Sequence, residues 1–130
     1  MPLLQFETTV EMTVQQKRSF ADAVRTSYSR RMQTGTGHVA VVIRPRGAGE
    51  LSIGRQTDDD RLLFLDAEIR SGRTFEQKRS FALEVMDLTA DEFDVPEPNM
   101  KVVFTEHEGR QMMGYDRVGS DWNPDEETDT

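Results

Sequence analysis

Cysteine is absent from the 130 residues. That excludes disulfides, thiolate nucleophiles and cysteine-ligated zinc or iron–sulfur centres. Lysine is nearly absent too: Lys17, Lys78 and Lys101 are the only three, so arginine carries most of the positive charge. Positive charge is itself in deficit, 16 basic residues against 24 acidic ones, for a net charge of −8. Phosphate binding needs a basic face, so nucleic acid is not an expected partner. No apolar run approaches the roughly 18 residues of a membrane span, and no charged-then-apolar leader is seen, so no membrane association is expected and the expected location is cytoplasmic. Histidine is limited to His38 and His107, which lack metal-ligand spacing, and no metal site is expected. The Gly35-Thr36-Gly37 run follows a helical pattern and precedes a strand-like one, the reverse of a phosphate-cradling loop. No cofactor is expected.

What is present is a repeat. QKRSFA occurs at residues 16–21 and again at 77–82, and the match extends without a gap from TVQQKRSFADAV to TFEQKRSFALEV, 61 positions on. Thr13 with Gln16, and Thr74 with Gln77, read as capping boxes that start two helices. Behind the first cap Phe20, Val24, Tyr28 and Met32 recur at helical spacing; behind the second, Phe81, Val85 and Leu88 do so. Each helix is preceded by a short apolar segment, residues 3–6 and 62–65, and followed by a β-rich run, residues 39–43 and 102–104.

The order is βαβ, twice. It predicts an α+β fold: a duplicated βαβ unit, with a four-stranded mixed sheet carrying both helices on one face. Residues 1–122 form one domain of two halves, 2–45 and 61–107. The connection between them is expected to hold a short strand around Leu51-Ser52-Ile53. Gly35-Thr36-Gly37 is expected to end the first helix, and the acidic stretch 123–130 is expected to be disordered. One sheet face is left bare, which a homo-oligomer packing sheet against sheet would cover.

Two features turn this scaffold toward chemistry: proline directly after the initiator methionine, in Met1-Pro2-Leu3-Leu4-Gln5-Phe6, and Ile69-Arg70-Ser71-Gly72-Arg73-Thr74 entering the second helix. Together they resemble the tautomerase superfamily. IRSGRT, VPEPNMKVVFTE and Gln111-Met112-Met113-Gly114-Tyr115 are most similar to its cis-3-chloroacrylic acid dehalogenase group. The resemblance implies a tautomerase/MIF-like fold, a homotrimer, and a cofactor-independent tautomerase or isomerase acting on a small 2-oxo or enol carboxylate. Pro2, freed of Met1, would be the general base and acid, Arg70 and Arg73 would bind the carboxylate, and Tyr28 is the further candidate catalytic residue. An uncharged secondary amine can move a proton beside a carbonyl, and burial and nearby guanidinium groups both favour that form. Arginine matches a carboxylate through paired donors where lysine does not.

The chain also departs from that group, with Tyr28, Val103 and Gly114 where the group has a histidine, a tyrosine and a water-activating glutamate. These departures disfavour dehalogenation and hydration. The alternatives are a decarboxylase or hydratase/dehalogenase on a β-substituted acrylate, or a catalytically silent ligand-binding oligomer. Trp122 is read as an anchor onto a neighbouring subunit.

Overall fold

Both capping boxes form in the computed structural model, which describes residues 1–126. The Thr13 hydroxyl accepts from Gln16 N at 3.1 Å while Thr13 N donates to the Gln16 side chain at 2.8 Å, and Thr74 and Gln77 repeat the exchange at 3.1 and 2.9 Å. They open α1 (Val14–Met32) and α2 (Phe75–Phe93). Each helix buries one stripe at four-residue spacing, Phe20, Val24, Tyr28 and Met32 on α1 and Phe81, Val85, Thr89 and Phe93 on α2. The second stripe runs through Thr89, whose hydroxyl is satisfied by Val85 O at 2.8 Å, and Leu88 packs at its margin. Edge-to-face contacts join the stripes to the sheet and to each other: Phe6 to Phe20, Phe20 to Phe93, Tyr28 to Phe81. Truncating one such ring costs about 3–5 kcal/mol.

The helices do not end on glycine as expected. Gln33 and Asp94 take the left-handed cap, at φ 53° and 55°, and return their N–H groups to Ser29 O and Ala90 O. The first cap therefore comes ahead of the Gly35-Thr36-Gly37 run expected to end α1, and both caps fall on polar residues.

The main sheet has the order β2-β1-β3-β4, from β1 (Leu3–Thr8), β2 (Ala40–Pro45), β3 (Leu63–Arg70) and β4 (Met100–His107). The two outer pairings are parallel and the central one is antiparallel. The duplication is kept to the residue: Leu3 pairs with Ala40, and Phe64 with Lys101, each 61 positions on. Across the central pairing Gln5 faces Asp66, its own counterpart in the repeat, so a local two-fold axis passes between them. Leu4, Phe6, Leu63, Leu65, Ala67 and Ile69 point under the helices and are buried. The opposite face carries Gln5, Glu7, Phe64, Asp66, Lys101 and Val103 around an open depression. The expected four-stranded mixed sheet with both helices on one face is the one observed.

The connection between the halves holds no strand at residues 51–53. It is pinned instead by Asn99, fully buried in the 3-10 turn Glu97–Asn99 ahead of β4. Its amide donates to Asp59 O at 3.0 Å and Arg61 O at 2.9 Å, and its oxygen accepts from Thr57 N at 2.9 Å. After β4 the chain makes a short turn and a small hairpin, β5 (Met113–Gly114) and β6 (Arg117–Val118), with Tyr115 fully exposed at its tip. Of the acidic stretch 123–130, residues 127–130 lie outside the described residues. Residues 123–126 make a turn, closed by Glu126 N to Asn123 O at 3.2 Å, where disorder is expected from their polarity. No helix among the described residues is long and apolar enough to cross a membrane.

Candidate functional site

Arg70 is the last residue of β3, and Arg73 lies just ahead of the Thr74 cap of α2. The turn between them is built by Gly72, at φ +124°, where a Cβ would lie 2.1 Å from Trp122 O. Only glycine combines this left-handed backbone with so close an approach. Ser71 N donates to His107 O and Ser71 O accepts from Trp122 N, both at 2.8 Å, so the turn is clasped by the end of β4 and the returning chain.

That clasp sets two different environments for the two arginines. Arg73 is 7% exposed and lies between two rings, its guanidinium carbon 5.5 Å from the centre of Tyr28 and 5.3 Å from that of Trp122. Its Nε donates to Met32 O at 2.8 Å, while its buried Nη1 lacks a partner among the described residues. Tyr28 is fully buried, its hydroxyl likewise without a partner, and desolvation pushes the phenol up to about 12 against the opposing pull of Arg73 and Arg70. It is a neutral group at every ordinary pH. Trp122 donates from its ring to Gln33 O at 3.0 Å, so it anchors the returning chain onto its own α1 rather than onto a neighbouring subunit.

Arg70 faces the chain start. It donates from Nη1 to Ser120 O at 2.8 Å and forms a two-pronged pair with Glu126, at 3.0 Å from Nη1 and 2.6 Å from Nη2. Burial pushes the Glu126 carboxyl up, but the hydrogen bond and charge of Arg70, with Arg73 behind it, outweigh that and hold it below its usual range.

Pro2 is buried, and its carbonyl accepts from Ala40 N at 3.0 Å at the start of the β1–β2 ladder. Two cavities, of about 330 and 620 Å³, share Met1, Pro2, His38 and Val39 in their walls. The smaller also takes in Arg70, Arg117 and Glu126; the larger takes in Glu68, His107 and Gly114. Arg117 Nη1 lies 3.1 Å from His38 Nε2. A guanidinium can only donate, so that ring nitrogen is the acceptor in this contact. Across the second cavity His107 Nε2 meets Glu68 Oε2 at 3.1 Å. The Met1 amine, one residue ahead of Pro2, is pulled from 8.0 to about 5, first by burial and then by the charges of Arg70, Arg73 and Arg117, with Glu126 opposing.

Of the four residues singled out in the sequence, Pro2 and Arg70 share one cavity wall. Arg73 and Tyr28 line neither cavity; Arg73 reaches the amine through its charge, and Tyr28 supports Arg73 from beneath. Arg117, His38 and Glu126 join the site without having been anticipated. No spacing or repeat ties position 117 or 126 to position 2; the folded hairpin and the turn after Trp122 bring them there.

No family model matches the chain, and no curated protein matches it. Solved structures do. N1, a member of the cis-3-chloroacrylic acid dehalogenase family, superposes with a TM-score of 0.81 at 21% identity, over 92% of this chain and 84% of that one. A fused 4-OT wild type symmetric trimer gives 0.78 at 14% identity, over 91% and 95%. Malonate semialdehyde decarboxylase gives 0.73 at 18% identity, over 88% and 92%. The fold is that of the tautomerase superfamily.

Proposed function

We propose that the chain is a cofactor-independent tautomerase, an isomerase that moves a proton on a small 2-oxo or enol carboxylic acid and works as a homotrimer. The observation that carries this reading is Pro2 buried at the head of β1 in one cavity wall with Arg70, where burial and the charges of Arg70, Arg73 and Arg117 lower the Met1 amine to about 5. Removal of Met1 would make the Pro2 nitrogen the terminal amine beside the same arginines, whose charges, like burial, favour its uncharged form. Uncharged at neutral pH, it takes a proton from one end of the enol–keto system and returns it at the other, with nothing gained or lost.

Arg70 offers a planar pair of donors to the substrate carboxylate, as it does to Glu126. Arg73, which lines neither cavity, adds its charge from behind Arg70. Tyr28 serves by holding Arg73 through its ring. Trimer formation would cover the sheet face around Gln5, Asp66 and Val103, and a fused 4-OT with this fold is a symmetric trimer. The test couples an intact-mass measurement of the native amino terminus with ketonisation of an enol carboxylate such as phenylenolpyruvate, followed by ultraviolet absorbance. A processed chain that ketonises, and a Pro2→Ala variant that does not, is the expected result. A processed chain that leaves the enol untouched overturns it.

One observation favours a second reading, hydratase or decarboxylase. The malonate semialdehyde decarboxylase with this fold is described with decarboxylase and hydratase activities, and the Glu68–His107 pair beside Pro2 could activate water where Gly114 and Val103 cannot. Release of carbon dioxide, or hydration of a β-substituted acrylate, would separate it from ketonisation.

A further inference from the structure

Resting on the carboxylate-binding role proposed for Arg70, we propose that Glu126 is an internal competitor for that role: a substrate carboxylate enters the Pro2 cavity by exchanging with the Glu126 carboxylate, which thereby restricts the site to ligands able to replace it. Glu126 meets Arg70 with both oxygens, the planar two-pronged geometry in which a free carboxylate would bind. It does so in the wall of the cavity that holds Pro2. Arg70 is 7% exposed, and Ser120 O takes a further bond from Nη1, so Glu126 occupies the paired donors that Arg70 turns toward the cavity. An incoming carboxylate must take the place of the one already there.

The anchoring of the segment suits an exchange. Trp122 is fixed by hydrogen bonds to Ser71 and Gln33 and by its stack on Arg73. Apart from the Arg70 pair, the hydrogen bonds of residues 123–126 among the described residues lie within the turn itself, Glu126 N to Asn123 O and Asp125 N to Asn123 Oδ1. The three residues 123–125 form a hinge that can swing the carboxylate off Arg70 and leave the Trp122 anchor in place. Exchange conserves the charge of the site, because one carboxylate leaves as another arrives. A neutral ligand would strand Arg70 in a buried position without a counter-charge, which is costly. A halide cannot reproduce two parallel N–H···O bonds. The occupant is thus an oxyanion that accepts two parallel N–H bonds, as the Glu126 carboxylate does.

The experiment measures binding alongside turnover, so that its failure can be told from failure of the tautomerase reading. Pyruvate is titrated into the wild-type chain, Glu126→Gln, Glu126→Ala and, as a control, Asp125→Asn, with Trp122 fluorescence and calorimetry as readouts. If Glu126 occupies Arg70 about 90% of the time, both Glu126 variants bind about tenfold more tightly than wild type. Asp125 is exposed, and its substitution removes the same charge one position away; it is expected to bind as wild type does. Unchanged or weaker binding by both Glu126 variants overturns the proposal. Equal tightening by Asp125→Asn also overturns it, since general charge rather than the contact would then be responsible. If enol ketonisation is absent throughout, the binding comparison still decides the matter.

Discussion

The guanidinium of Arg73 and the indole of Trp122 are stacked, 5.3 Å from carbon to ring centre, and the indole closes over a cation already backed by Tyr28. Trp122→Ala uncovers one face of Arg73 and removes a side chain only 7% exposed. A loss of about 3 kcal/mol in unfolding free energy is expected, at the low end for a buried aromatic. A raised KM for the carboxylate substrate should accompany it, and Trp122→Phe should recover most of both. Denaturant unfolding and steady-state kinetics on the two variants check this.

Tyr28→Phe deletes a buried hydroxyl with no partner. Replacing an unsatisfied polar group by an apolar one of the same shape is nearly neutral or stabilising. Stability is therefore expected to hold or rise by up to about 1 kcal/mol, with kcat little changed. A sharp fall in kcat at unchanged Tm would give the phenol a part in proton transfer.

For pH, the proposed base must be uncharged, so kcat/KM falls as pH drops through its pKa and is level above it. Burial and the three arginines lower the Met1 amine to about 5, and the same causes act in the same direction on a Pro2 amine, so the acid limb is expected at lower pH than for an ordinary terminal amine. Arg70→Gln removes the second-largest cause of that depression, so the acid limb should move to higher pH while KM rises. Arg73→Ala should raise KM or abolish activity and shift the limb the same way. A chain that keeps Met1 should be inactive, since its Pro2 nitrogen is an amide. Rate–pH profiles on material of verified mass test all three.

Between the helices, Glu84 on α2 is paired with Arg30 and, at 2.7 Å, with Arg31 on α1. The hydrogen bond from Arg30 is the main reason its carboxyl is lowered from 4.5 to about 2. A depressed carboxyl stabilises the fold above its unfolded pKa and stops doing so as pH falls through the folded one. Glu84→Gln is therefore expected to cost about 1 kcal/mol near neutrality, as partly exposed pairs do. The difference from wild type should shrink between pH 4.5 and about 2. Thermal unfolding across that window is the measurement.

Assembly makes a fifth test. The sheet face around Gln5, Phe64, Asp66, Lys101 and Val103 is bare in one chain. Sedimentation equilibrium at low micromolar concentration is expected to give three times the 14.9 kDa chain mass. Val103→Glu, placing a carboxylate on β4 opposite Asp66, should favour dissociation. A monomeric wild type would contradict the proposed trimer.

The parts of the fold legible in the sequence are those set by neighbours along the chain. Capping boxes, helical stripes and β-rich runs are all local signals, and the duplication supplied the pairing of the halves. The illegible parts depend on contacts between distant residues. Gln33 caps α1 although two glycines follow it closely, and Asn99 organises the linker at 57–61 from some 40 residues away. Within the site, Pro2 and Arg70 were readable because the resemblance supplied them. Arg117 and Glu126 were not, because the hairpin and the turn beyond Trp122 that deliver them have neither a repeat nor a periodic apolar pattern, and His38, in the loop ahead of β2, carries no spacing that points to the site. Polarity alone made 123–126 look disordered; the charge of Arg70 gives it a partner.

The axis between Gln5 and Asp66 has a consequence for inheritance. Carried across it, the start of the chain falls on Leu63, whose nitrogen is locked in a peptide bond and whose side chain is buried. Two separate half-length chains related by such an axis would each own a free beginning; joined end to end they keep only one. Under the role proposed for Pro2, the second half is released from chemical duty at its own counterpart position, and substitutions there answer to packing alone. A duplicated chain of this kind should age unevenly: its first residues held fast, their mirror positions free to drift among apolar side chains.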